Sequence, residues 1–285
     1  VFRAVILCGG LASYVASKLQ EDSKYFDGFP ESPLKFASRI LHHPFHKDRR
    51  MIPLCRVLLE HRFDPNETRA VAAFTSAGDP RREDTPWQTL LSKILTWPHK
   101  SSTVRSMVYA IRNGSISLFL SFGADLNTVV RARNYNYGKG LLPAWVSIFV
   151  AIFRNPDVDD DAYAELLRYL LVPRVDIRLL LMDYSYQMPG QSLISGWQEL
   201  KSLLESLASG HHGWFCSKPP TSFLKWTSRF LYELAKMDKA TGNMVLPWEE
   251  IRSTVQNVYP HHLVQPLLDI MTQDAALTNH VTDRE

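Results

Sequence analysis

Several groups of residues in this 285-residue chain are of types that could do chemistry. Histidines cluster at His42, His43 and His46, at His211 and His212 near Cys216, and at His261 and His262. A zinc site pairs Cys or His twice at set intervals, which none of these does, so they read as loop histidines. The acidic run "DVDDDAYAELLR" (157–168) invites comparison with a calcium loop. Such a loop needs Gly at its sixth position for a sharp turn and a bidentate Glu at its twelfth. Those positions hold Ala162 and Arg168, so the carboxylates read instead as complements to the positive end of a helix dipole. "YNYGKG" puts Arg133 where a phosphate-cradling GxxxxGK[ST] loop needs its first Gly. Neither GxSxG nor HExxH occurs. With no local motif joining a nucleophile to a base, the expectation is a chain that is not an enzyme and uses no metal or cofactor.

What remains is chemistry of recognition. The segment "TVVRARNYNYGKGLL" (128–142) carries Arg131, Arg133, Tyr135, Tyr137 and Lys139. Tyr and Arg are the residue types over-represented at interface hot spots. A second polar segment, 67–84, adds Arg81, Arg82 and Glu83. The expectation is that both project from one side of the molecule and help to form a surface for a protein partner.

These segments need elements to carry them. In "CRVLLEHRFDPNE" (55–67) an apolar stripe of Val57, Leu58 and Leu59 runs into a turn of Asp64, Pro65 and Asn66, with Cys55 as a small core residue. "SLFLSFGADLN" (117–127) and "RYLLVPRVDIR" (168–178) share that layout, anchored on Asp125 and Asp176. Helix starts lie upstream at "SPLKFA", "TPWQTLL" and "LPAWVSIF". Ser32 and Thr85 are of a type that caps orphan N–H groups, and Pro33 and Pro86 fit the first helical position. Leu142 cannot cap.

A Thr-Pro-Leu helix start followed by a helix ending in Leu-Leu-x-x-Gly-Ala-Asp-x-Asn resembles the ankyrin repeat, a unit of about 33 residues. "FLSFGADLN" (119–127) is close to that pattern, and "LLEHRFDPN" departs from it at Arg62 and Phe63. "AVILCGGLASYVASKL" (4–19) looks like another unit, with Gly10 between its helices and Leu11, Val15 and Leu19 facing the core. The resemblance implies an all-α, ankyrin-like helical-repeat solenoid of about four degenerate repeats over 1–210, with insertions at 42–50 and 96–103. The family's His after Thr-Pro-Leu is replaced by Lys35, Gln88 and Trp145. The long units, with Trp in the helix start, are similar to the C-terminal ankyrin regions of large fungal NACHT-type proteins. Arg62 stands where Gly123 stands, just past a helix end, where a left-handed backbone is expected.

Beyond the repeats, residues 211–285 read as a helical extension that caps the solenoid. Helices are expected at 192–210, closing the repeat region, and then at 223–237, from Pro247 onward, and at Leu263–Met271, with a frayed tail. A formal charge of +3 is too small to point to nucleic acid or a membrane, and 45% apolar content suits a globular chain. The longest nearly apolar run, 141–153, is shorter than a membrane span. Three scattered cysteines and no leader-like N-terminus fit a reducing, cytoplasmic setting. Starting at Val1, the chain reads as a monomeric fragment with more protein upstream. Its expected function is non-enzymatic protein–protein interaction, through a concave helical surface and projecting loops. The alternative is a regulatory, ligand-sensing arm of a larger NTP-driven switch.

Overall fold

In the computed structural model, residues 2–41, 50–68, 84–95, 109–134, 138–153, 168, 170, 175–181, 183–184, 194–208, 221–242 and 244–282 are described. The chain forms two compact units, Val1–Ala144 and Trp145–Glu285. The boundary expected at residue 210 lies outside the described residues, as do most of the insertions expected at 42–50 and 96–103.

The first unit contains helices α1 (Phe2–Cys8), α2 (Ala12–Glu21), α3 (Pro33–Leu41), α4 (Met51–Glu60), α5 (Pro86–Leu95) and α6 (Ser115–Ser121). They pack in two rows: α3 touches α1 and α5, α4 touches α2 and α6, and α3 against α4 joins the rows. The sequence dictates this through helical spacing. Met51, Leu54, Cys55, Leu58 and Leu59 recur on one face of α4 and are all buried, whereas Val57 sits at the edge of that face. Trp87, Leu90, Leu91 and Ile94 do the same for α5. Val15 and Leu19 are buried as expected, but Leu11 is 49% exposed. Leu11 precedes α2 and closes the end of α1 by donating its N–H to the Ile6 carbonyl at 3.4 Å, so it falls outside the periodicity of α2.

Three helix ends share one hydrogen-bond pattern: after α1, Gly10 N–H reaches the Leu7 carbonyl and Leu11 N–H the Ile6 carbonyl. After α4, Arg62 N–H reaches the Leu59 carbonyl and Phe63 N–H the Leu58 carbonyl. After α6, Gly123 and Ala124 repeat this with Leu120 and Phe119. All three are Schellman closures, which need a left-handed residue in the middle, Gly10 (φ 62°) in the first. Gly123 has φ 84° and Arg62 has φ 65°, and Arg62 is the one non-glycine with positive φ among the described residues.

Two strands, β1 (Val129–Asn134) and β2 (Gly138–Pro143), pair antiparallel where the sequence suggests a plain loop, and β1 packs on α5.

The second unit holds α7 (Ala144–Phe153), a 3₁₀ turn at Ile177–Leu180, α8 (Gly196–Ala208), α9 (Thr221–Ala240), α10 (Glu249–Val258) and α11 (His261–Thr282). A short antiparallel pair, β3 (Asp183–Tyr184) with β4 (Ile194–Ser195), leads directly into α8. Helix α8 packs on α10, and α9 on α11. Trp197 of α8 meets Trp248 edge to face at 5.4 Å. The Asp238 carboxylate, fully buried, accepts from Val245 N–H at 2.8 Å, Leu246 N–H at 2.9 Å and Trp248 Nε1 at 2.8 Å. Helix α11 continues well past Met271, because neither Pro nor Gly follows Pro266 to stop it. The fold is thus mostly helical, and among the described residues no helix is long and apolar enough to cross a membrane.

Left-handed backbone costs a non-glycine residue about 1 kcal/mol. Arg62→Gly is therefore expected to raise the melting temperature by a few degrees in a thermal melt followed by circular dichroism. A lower value would mean that the Arg62 side chain contributes more than its backbone strain costs.

Candidate partner-binding surface

The turns that follow the helices are built alike. Asp64 Oδ1 accepts from Asn66 N–H at 2.7 Å, Asp125 Oδ1 from Asn127 N–H at 2.9 Å, and Asp176 Oδ1 from Arg178 N–H at 3.0 Å. Each is the local side-chain-to-backbone bond that makes Asp a turn residue. Asp22 makes the same bond to Lys24 N–H at 2.9 Å, an equivalence the sequence pattern did not reveal.

Asn66 then reaches from its own turn to the next. Its Nδ2 donates to the Gly123 carbonyl at 2.8 Å, and its Oδ1 accepts from Asp125 N–H at 2.8 Å. Trp87 adds two more ties: its backbone N–H donates to the Pro65 carbonyl at 3.0 Å and its Nε1 to the Asp125 carbonyl at 3.0 Å. Gln88 completes a reciprocal cap with Thr85, at 2.8 and 3.1 Å. Its Nε2 also donates to Thr128 Oγ1 at 3.1 Å and the Val129 carbonyl at 2.8 Å. The flanks of segment 67–84, Asn66 and Gln88, are thereby both bonded to the stretch 123–129 that enters the β1–β2 hairpin.

Of the expected recognition residues, Arg131 and Arg133 lie on β1 and Lys139 on β2. The register sets Arg133 opposite Lys139 and Arg131 opposite Leu141, so two basic residue types face one another across the pair. Tyr135, Tyr137, Arg81 and Arg82 lie outside the described residues, as do the side chains of Arg131, Arg133 and Lys139.

Ser32 does not cap α3 with its side chain: its Oγ is buried without a partner among the described residues. The residue three positions on is Lys35, which has no acceptor to return the bond, whereas Thr85 has Gln88. A second complete cap stands at Ser195 and Gln198, with both bonds at 3.2 Å. "SGWQ" (195–198) parallels "TPWQ" (85–88), a signal present in the sequence after the last Asp anchor, Asp176.

The first unit also carries an aromatic groove of about 550 Å³ that periodicity gave no reason to expect. Phe2, Tyr14, Tyr25, Phe29 and Phe36 line it, with Arg3 at its edge. Tyr25, Phe26, Phe29 and Phe36 stack edge to face in series, with ring centres 4.9, 5.9 and 5.8 Å apart. Arg3 lies 5.2 Å over the Tyr25 ring and donates from Nη1 to the Asp27 carbonyl at 2.7 Å. Burial, with help from a hydrogen bond to Tyr14, raises the Tyr25 hydroxyl above its usual pKa. A smaller groove of about 370 Å³ lies beside α10 and α11, where Arg252 is held by Glu249 and Gln265 by Asp269.

As for reactive groups, burial pushes the Cys55 thiol up to about 12, which removes it as a nucleophile at neutral pH. Among the described residues no cluster of three or more His, Cys, Asp or Glu could hold a metal ion. Set against family models, curated proteins and solved structures, the chain matches none.

Each reciprocal cap satisfies an orphan N–H at a helix start, worth about 1 kcal/mol. Thr85→Ala and Ser195→Ala are expected to lower stability by similar amounts, near that value, in urea melts. Ser32→Ala is expected to cost little, since no side-chain bond is lost.

Proposed function

We propose that the chain is a non-enzymatic protein–protein interaction module built from degenerate ankyrin-type repeats. The observation that carries this reading is the Asn66 side chain, bonded at both its polar ends to the corresponding turn of the following helix pair. It is supported by the matched helix ends at Arg62 and Gly123 and by the helix rows of the first unit. Gln88, at the position of the family's His, makes hydrogen bonds toward the neighbouring turn of the kind that residue would make. A repeat unit cannot bury its apolar face alone, so neighbouring units stabilise one another and the segments between them are left for recognition.

In this reading the β1–β2 hairpin and segment 67–84 form the partner surface, with Arg131, Arg133, Tyr135, Tyr137 and Lys139 as its main contacts and Arg81 and Arg82 at its margin. Basic and aromatic side chains together favour a protein partner with acidic groups around apolar ones. The protein is expected to work in the cytoplasm, without cofactor, nucleic acid or membrane.

The Arg131→Glu, Arg133→Glu double variant tests this directly. A protein retained from native extract by the wild-type chain should bind the variant at least roughly tenfold more weakly, as befits loss of hot-spot arginines, with an unchanged melting temperature. Equal retention by both would refute the assignment of the hairpin.

A further inference from the structure

The aromatic groove on the first unit is built from residues that the hairpin surface does not use. Its rings are only partly covered: Phe2 is 65% and Tyr14 38% exposed. Exposed aromatics normally scatter, so rings gathered around one concavity mark a contact site. Its volume lies within the roughly 300–1,000 Å³ typical of ligand pockets.

The charges around the groove decide what fits it. Glu31 is nearly buried and paired with Arg39. Lys18, 5.9 Å from the Tyr14 ring, is paired with Glu21 at 2.5 Å. Arg3 is different. Its guanidinium has a ring and a backbone carbonyl for company, but no carboxylate within ion-pair distance among the described residues. A guanidinium offers five N–H donors in a planar fork suited to a carboxylate, and one bond to a carbonyl leaves most of them for a ligand. The groove therefore presents apolar walls, two tyrosine hydroxyls and one uncompensated positive charge at its edge.

We propose that this groove is a second binding site, which takes a short segment of a partner protein carrying bulky apolar side chains next to an Asp or Glu. The apolar side chains lie against Tyr14, Tyr25 and Phe29, and the carboxylate meets Arg3. The site is separate from the hairpin surface and does not depend on that assignment.

The test is selection of a random 12-residue peptide display library on the immobilised full chain, followed by affinity measurement on the enriched peptide. Enriched sequences should pair aromatic, Leu or Pro residues with a neighbouring acid. Arg3→Glu should weaken binding at least tenfold, Arg3→Lys much less, and the Arg131→Glu, Arg133→Glu variant not at all. If Arg3→Glu melts early, Tyr14→Ala replaces it, since that ring is outside the core, and a severalfold loss is expected. The proposal is overturned if no sequence is enriched, if enriched peptides lack acids, or if their binding ignores Arg3 and Tyr14. It is equally overturned if the groove proves to be covered by a second copy of the chain, seen as a dimer that Phe2→Glu dissociates.

Discussion

One amide side chain fixes the spacing of the first unit's turns. Asn66 stands in a turn made by Asp64, and it spends both ends of its amide on the backbone at Gly123 and Asp125. The two turns are far apart in sequence, so nothing local could hold them at this distance. Their alignment sets where α5 begins, through Trp87 and Pro65, and where β1 begins, through Gln88 and Val129. The helix rows supply the apolar burial that stabilises the unit, but burial is non-directional. The hydrogen bonds of Asn66, Trp87 and Gln88 give the rows a defined register.

A different device organises the second unit. Asp238 places a carboxylate in the interior with no cationic partner among the described residues and satisfies it with three N–H donors. A buried carboxylate is costly unless fully hydrogen-bonded, and here the bonds also fold the chain from Val245 to Trp248 back onto α9. Trp248, thus oriented, is the ring against which Trp197 packs. In both units, then, a side chain with fixed polar geometry determines where the large apolar residues land.

Much of this was legible in the sequence wherever the cause is local. The Asp anchors, the left-handed position at Arg62 and the buried stripe around Cys55 follow from turn chemistry and helical spacing. What escaped depends on distant partners. Asn66 reads as an ordinary turn residue, since its contacts lie more than fifty positions away. Leu11 reads as core because its spacing from Val15 is helical, yet it belongs to the end of α1. The hairpin escaped because Gly138 and Gly140 and a charged alternation conceal β1 and β2 as a loop. The aromatic groove escaped because its rings come from α1, α2, α3 and the connection between α2 and α3, with no common period. The cap at Ser195 and Gln198 was readable, by comparison with Thr85 and Gln88, as a recurrence of the same helix start.

The central claim is that Asn66 locks one turn to the next. It is tested most directly by amide hydrogen exchange at Asp125, whose N–H lies in an exposed turn and, among the described residues, is protected only by Asn66 Oδ1. The account predicts slow exchange of that amide in the wild-type chain. In an Asn66→Ala variant that remains folded, exchange should be about a hundredfold faster, while core amides of α4 and α5 change far less. An Asp125 amide that exchanges in the wild-type chain as fast as an unprotected one would contradict it.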